Sequence, residues 1–521
     1  MADALVHLQA AFKLNPDDLS TGIAVSQLLV SNGKAAEAER VLAQLVERAP
    51  DQRAINYNYA QVLTRLGRGD ESKQYLERAV QLDPTFGPAI LGLIDIYQKE
   101  NEWRKAAEIL NPLIEEDPIN IELKRQQAFF YLRADLPEEA RKRFKDIVAA
   151  DPRDARSQFY LAESLNDLQQ FAEAAVIYKK LLNDTPDDPD ILASYALNQI
   201  GQKNWDEAQR VLNSLLALPE AADNLTTLAR TQLALIDLNK GNYEAAIATA
   251  KPVFIFRDKP NVQAINIALD ALKKQKKYAE GVALLQPLVD KFGNDPFLNA
   301  RYVELLARSG ASAKAQQAST VGAKFGSRNA IAIAEAWIAT GDSAKAIEII
   351  KSALQEKDKA DDLDLQFELG SAYERSGDRP AAEKAFLSIL EKHPEHGATL
   401  NYLGYMWAEG GVNLDRAQEM LTRAVTQDPR NGAYIDSLGW VYFRKGDLEN
   451  AEKLLNDATH LLPRDATVHE HLGDVYAKRG DDARALKLYR VALTLEPEPK
   501  DEEKLRLKIA EIERKAQTSA R

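Results

Sequence analysis

Proline returns every 34 residues through the first third of the chain, at Pro16, Pro50, Pro84, Pro118, Pro152 and Pro186. A fixed period of roughly 20–50 residues marks stacked, self-similar units. Asp83, Asp117 and Asp151 each stand directly before one of these prolines, at the end of an amphipathic run. A proline there stops one helix before the next begins. The period returns near the C-terminus at Pro429, Pro463 and Pro497. Length alone, 521 residues, would suggest several globular domains. A stack of repeats instead buries a continuous core between neighbours.

The chain is 45% apolar and only 7% aromatic, and it contains no apolar run long enough for a transmembrane helix. Its net charge of −12 argues against a general nucleic-acid binder, because neutralising phosphates needs a surplus of Lys and Arg on the contact face. No nucleic-acid partner is expected, although a local basic patch stays open. The absence of cysteine removes disulfides, thiolate zinc sites and cysteine nucleophiles together. Ala4, Leu8, Ala11 and Pro16 have the phase of the second helix of a unit, with no first helix before them. Met1 therefore opens inside a repeat. The native chain is expected to extend upstream, where a signal peptide or lipid-attachment cysteine could stand.

Residues 432–465 show the chemistry of one unit. Leu438, Gly439 and Tyr442 lie on its first helix, and Lys445-Gly446-Asp447 forms the turn. Ala451, Leu454, Leu455 and Ala458 follow on the second helix, and Pro463 closes it. Small residues at 439 and 451 mark the crossing of the two helices, where a larger side chain would overpack by about 1–3 kcal/mol. Gly446 suits a left-handed helix end, and Asp447 is placed to cap the helix that follows.

The same small pair recurs 12 residues apart as Ala60/Ser72, Ala128/Ala140, Ala162/Ala174, Ala196/Ala208, Gly370/Ala382, Gly439/Ala451 and Gly473/Ala485. An aromatic precedes the second small position at Trp103, Phe171, Trp205, Tyr243 and Tyr278. In these residues the chain resembles the tetratricopeptide-repeat family over nearly its whole length. The resemblance implies an all-α fold: a right-handed α-α superhelical solenoid of about fourteen tandem 34-residue helix-turn-helix repeats with a C-terminal capping helix.

Five segments are expected. Residues 1–18 form the second helix of a truncated leading repeat, and 19–218 a regular array. Residues 219–362 form irregular repeats, with longer connections at Pro219–Asp223, Asp258–Pro260 and Gln355–Asp362. In that middle zone Gly281 replaces the usual Ala, and Gly322 and Gly326 are expected to weaken a helix by roughly 1 kcal/mol each. The zone reads either as a change of curvature or partner surface, or as drift in a tolerant scaffold. Residues 363–499 return to near-consensus units, with one insertion at Glu409-Gly410-Gly411. Residues 500–521 form a capping helix and tail. Leu505, Ile509, Ile512 and Ala516 make its apolar stripe, and Glu502/Arg506 and Glu511/Lys515 its charge pairs.

No catalytic residues, cofactor-binding residues or metal ligands are expected, and the chain is read as a non-enzyme. His469 and His471 are two apart on a helix and point in different directions, and His393-Pro-Glu-His396 lacks the two-turn spacing of a zinc-protease helix. No phosphate-cradling Gly-rich loop or nucleophile elbow is present. The acidic clusters Asp184/Asp187/Asp188/Asp190 and Asp358/Asp361/Asp362/Asp364 lack the calcium-loop pattern and are read as helix caps.

The resemblance further implies that first helices line a concave protein-binding groove. Mapped residue by residue, its positions fall on Phe367, Asn401, Tyr405, Asp436, Trp440, Phe443, Glu470 and Asp474. Trp440 and Phe443 are read as exposed anchors, since Leu438, Gly439 and Tyr442 already fill the packing positions; the alternative is that both pack against the adjacent repeat. The carboxylates would favour a partner carrying Lys or Arg. A weaker apolar track runs through Arg125, Phe129, Phe159, Leu197 and Ile200. The Lys/Asn/Arg set with which some family members clamp chaperone C-termini is not found at matching positions.

The stretches Leu403–Trp407, Tyr434–Trp440 and His469–Asp474 resemble bacterial members of the family, many of them envelope-associated. Three functions stay open. The first is a scaffold or adaptor in the bacterial periplasm, anchored to the outer membrane as a lipoprotein, that binds a protein or extended peptide such as a processing protease or a secretion or export component. The second is a cytoplasmic regulator holding a signalling peptide or domain. The third is a self-associating structural assembly protein.

Overall fold

The computed structural model describes residues 2–219, 222–356, 358–495, 497 and 499–519. Among these, helices pair off fourteen times between Leu19 and Thr494, preceded by the single helix Ala2–Leu14 and followed by Pro499–Ser519. The fold is all-α, a tandem array of helix-turn-helix repeats. No helix among the described residues is long and apolar enough to cross a membrane.

Local chemistry accounts for the regular spacing. The helices Gly69–Leu82 and Pro137–Ala150 end just before Pro84 and Pro152. Asp188, Asp362 and Asp447 cap the helices that follow them, each carboxylate accepting a backbone N–H of the first turn. Trp103, Phe171, Trp205, Tyr243 and Tyr278 are each the first residue of a second helix. At the turn, Gly446 has φ 85°, while Asn101, Asp135, Gln169, Lys203 and Lys276 take φ 58° at the matching place in units without glycine. The turn geometry thus outlasts its preferred residue.

The small-residue crossing is equally visible. A Cβ on Gly439 would stand 2.7 Å from Cγ of Leu455. In the unit with Ser72, its hydroxyl donates to the carbonyl of Ala60 across the crossing, at 2.8 Å. The pair twelve residues apart is therefore a direct backbone-to-side-chain contact.

The chain divides into two compact units, residues 1–268 and 269–521. In the first, a core runs without a break from Ala60 to Ile236, and a second cluster from Leu5 to Leu63 fills the start. In the other unit the core falls into clusters at Val303–Ala372, Ala382–Val441 and Ala451–Ile512. The last helix buries Leu505 and Ile512, with Ile509 partly covered, and forms both expected charge pairs. The Ala516 side chain lies outside the described residues.

The middle zone differs from the expectation in two places. Gly326 lies between the helices Ser312–Ala323 and Ser327–Ala339 at φ 123°, so it weakens neither. Asp258–Pro260 belongs to a short antiparallel hairpin pairing Ile255–Phe256 with Lys259–Pro260, with Arg257 and Asp258 at positive φ in the turn. Parts of the connections Pro219–Asp223 and Gln355–Asp362 lie outside the described residues.

Candidate protein-binding groove

Within the unit of residues 269–521, consecutive first helices set the expected groove residues side by side. Glu470 and Asp474 on Ala466–Lys478 follow Asp436 and Trp440 on Gly432–Lys445 by 34 residues. The earlier helix Gly397–Gly410 carries Asn401 and Tyr405, and Leu363–Arg375 carries Phe367. Phe367, Asn401, Tyr405, Phe443, Glu470 and Asp474 are each half-buried.

Two of the eight differ from the expectation. Trp440 and Asp436 are buried, with 8% and 7% of their surface exposed. Trp440 is covered because the next repeat lays His471 flat on it, with ring centroids 4.1 Å apart and planes 18° from parallel. Phe443 stacks on it at 4.8 Å. The indole N–H donates to Oε2 of Glu409 on the preceding repeat at 3.0 Å. Trp440 is thus a packing residue between repeats, and its helix neighbours could not reveal this. Asp436 faces inward for a related reason: its carboxylate holds Nδ1 of His471 at 3.0 Å.

His471 is fully enclosed. Burial alone would push its pKa down, but Asp436, with Asp474 and Glu470 nearby, outweighs burial and pulls it above the ordinary histidine value. Tyr405 lies 6.2 Å from the His471 ring, and burial among carboxylates raises its phenol. Phe367 sits edge-on to Tyr402 at 5.6 Å. Lys478 lies 4.7 Å over the Phe443 ring, leaving that ring between a cation and Trp440.

Glu470 and Asp474 are linked through the last helix. Nζ of Lys508 donates to Oε1 of Glu470 at 2.6 Å and to both oxygens of Asp474 at 2.7 Å. The Tyr489 hydroxyl donates to Asp474 Oδ1 at 2.6 Å. His471, Glu409 and Lys508 were not among the expected site residues. The repeat arithmetic carries a signal for Lys508: residues 504 and 508 stand 34 beyond 470 and 474.

Other first-helix carboxylates have different surroundings. Glu304 is buried among Lys273, Arg301 and Arg308; burial would raise its pKa, but the three cations hold it down. Glu368 is pushed up to about 7, first by burial and then by the charge of Glu335. In the unit of residues 1–268, Phe129 and Phe159 of the second track are half-buried and Leu197 is exposed. Arg125 is tied to Asp154 at 2.8 Å and to the Ser157 hydroxyl at 3.2 Å. Among the described residues no three His, Asp or Glu side chains converge as a metal ion would require.

Paired helices with a small-residue crossing, stacked by a 34-residue step, define a repeat protein whose first helices present a side-chain row. Two family profiles, each described as Tetratricopeptide repeat, match the chain. One matches residues 63–128 and 165–219, and the other residues 26–85, 131–189, 367–431, 413–461 and 437–501. The chain belongs to the tetratricopeptide-repeat family.

It is similar to the TPR repeat-containing protein PA4667 of Pseudomonas aeruginosa, 30% identical over 115 residues, covering 22% of this chain and 19% of that protein. It is also similar to the TPR repeat-containing protein YpiA of Bacillus subtilis, 23% identical over 267 residues, covering 50% of this chain and 61% of that one. The chain thus spans less than two thirds of the length of either relative. Among solved structures, yeast Tom70 aligns over 90% of this chain and 97% of its own, with 14% identity and a TM-score of 0.39.

Proposed function

We propose that the chain is a non-enzymatic scaffold that binds partner protein along the first-helix row of residues 367–474. The observation that carries this reading is the half-buried set Tyr405, Phe443, Glu470 and Asp474. These side chains are ordered by neighbouring repeats yet keep part of their surface open, as an anchor for a partner requires. Aromatic faces beside carboxylates suit a protein or extended peptide with apolar and basic side chains. An ordered row of this kind offers a partner fixed geometry with little entropy to lose on binding.

The compartment we propose is the bacterial envelope, with attachment to the outer membrane and recruitment of a processing protease or a secretion component. The motif resemblance of residues 403–407, 434–440 and 469–474 supports this reading, and the likeness to PA4667 supports its bacterial part alone.

The test is affinity capture from separate envelope and cytosolic fractions of the source cells, using this chain and its Tyr405→Ala/Phe443→Ala variant. An envelope protein captured by the first and lost by the second is the expected result. Capture only of cytosolic proteins would replace the envelope adaptor with a cytoplasmic regulator. Equal capture by both chains would move binding away from this row. Light scattering that shows a concentration-dependent oligomer would favour a structural assembly protein.

A further inference from the structure

The last helix continues the repeat step with the charge reversed. Glu470 is followed 34 residues later by Lys504, and Asp474 by Lys508. Pro499–Ser519 therefore carries lysines at the two positions where the preceding first helix carries Glu470 and Asp474. The contact is made: Lys508 bridges Glu470 and Asp474 at 2.6–2.7 Å, while Lys504 bonds Asp501 at 3.0 Å. The Glu470 and Asp474 side chains are only 13% and 14% exposed, while that of Lys508 is 32% exposed. With Lys508 in place the two carboxylates are mostly covered, and the lysine is the more exposed member of the contact.

The helix is anchored independently of that lysine. Leu505 and Ile512 are buried in the cluster that also holds Leu472, Val475 and Tyr489. Those two apolar side chains are removed from water whether or not Lys508 is paired, so the helix has an anchor that does not depend on the ion pair. Lys508 adds a part-buried ion pair to that anchor, and in doing so it occupies two carboxylates that stand on one first helix, one turn apart.

We propose that the last helix is a built-in competitor: Lys508 occupies the Glu470–Asp474 carboxylates as a stand-in for a lysine or arginine of a partner segment, which must displace it to bind. The inference rests on the reading of the first-helix row as the binding surface, and it adds both the chemistry of the partner and a restraint on its affinity. Displacement is an exchange: the ammonium swings on its four-carbon stem into water as the partner's cation takes its place on the two carboxylates, while Leu505 and Ile512 stay buried.

Fluorescence anisotropy with a labelled, N-acetylated hexalysine peptide at low salt tests this, with hexaglutamate as the opposite-charge control. Lys508→Gln is expected to bind hexalysine roughly three- to tenfold more tightly than the unaltered chain, and Lys508→Arg to match the unaltered chain. Adding Glu470→Gln and Asp474→Asn to Lys508→Gln is expected to abolish the gain. Amide exchange across residues 502–513 checks that the helix stays docked. Lys508→Met, which keeps the methylene stem, replaces Lys508→Gln if glutamine loosens it.

Equal affinity of Lys508→Gln, Lys508→Met and the unaltered chain, all weakened by the carboxylate changes, would overturn the competition and leave the groove reading standing. Hexalysine binding that no substitution changes would overturn the proposal at the level of the site. Failure of every variant to bind hexalysine would overturn the cationic partner, and capture with the Tyr405→Ala/Phe443→Ala variant would then judge the groove separately.

Discussion

Nδ1 of His471 lies 3.0 Å from Oδ1 of Asp436 on the preceding repeat, while the same imidazole lies flat on Trp440 at 4.1 Å. One largely buried side chain therefore joins two consecutive first helices by a contact with a carboxylate and a stack. The contact makes the last repeats sensitive to protonation, and it turns two expected ligand-facing residues into packing residues.

The histidine's pKa in the folded chain is above its ordinary 6.5, because the nearby carboxylates outweigh burial. A folded pKa raised above the unfolded one adds stability that is fully present below about pH 6.5. That stability is lost as pH rises through the folded value. We expect the melting temperature of the unaltered chain to fall over this interval relative to that of His471→Asn. Parallel melting curves for the two chains from pH 6 to pH 9 would count against the pairing.

Trp440→Ala should unfold the last repeats more readily, at a cost of about 3–5 kcal/mol, because it removes a buried ring between two stacked partners. Urea titration followed by far-UV circular dichroism reads the change. A variant as stable as the unaltered chain, with weakened partner binding alone, would restore Trp440 as an exposed anchor.

Glu368 shifts stability in the same direction with pH for a different reason: it is the neutral form of this carboxyl, not a charged form, that the fold favours. Burial and the charge of Glu335 raise its carboxyl to about 7, so the folded chain loses stability as pH climbs from about 4.5 towards 7. Glu368→Gln is expected to stabilise the chain at pH 8 by on the order of 2 kcal/mol and to change little at pH 4.5. Calorimetry at the two pH values decides; a gain of equal size at both would mean that the glutamine improves packing and that charge is not involved.

Gly439 and Gly446 separate two roles of glycine. Gly439→Val places a side chain 2.7 Å from Leu455 and should cost about 1–3 kcal/mol through overpacking. Gly446→Ala meets no atom within 4 Å but must hold φ 85°, so about 1 kcal/mol is expected. Replacing Leu455 with Ala in the Gly439→Val chain should recover part of the first loss. Recovery of the second by that change would contradict the assignment.

The repeat was legible because each of its signals is local. Pro84 ends a helix, Gly446 turns the chain, and Gly439 and Ala451 meet at a spacing that one sequence displays. Contacts between repeats are set by helix offset, which local pattern does not carry. Trp440 looked surplus to its own helix, and only the neighbouring helix shows that His471 covers it. The insertion at Glu409-Gly410-Gly411 hides this further by shifting the register before residue 436 by one residue. The hairpin at residues 255–260 escaped for another reason: its turn is Arg257-Asp258, with neither Gly nor Asn to mark the positive φ.

The central claim is that partner protein lies along the first-helix row of residues 367–474. Site-specific photo-crosslinking tests it most directly, with benzoylphenylalanine placed singly at Tyr405, at Phe443 and at the exposed second-helix position Glu449, in source cells. We expect a crosslinked partner from positions 405 and 443 and none from 449. A partner crosslinked from 449 but from neither aromatic position would contradict the account. It would shift attention to other surfaces, such as the cavity of about 530 Å³ lined by Tyr302, Ala318, Val321 and Phe325.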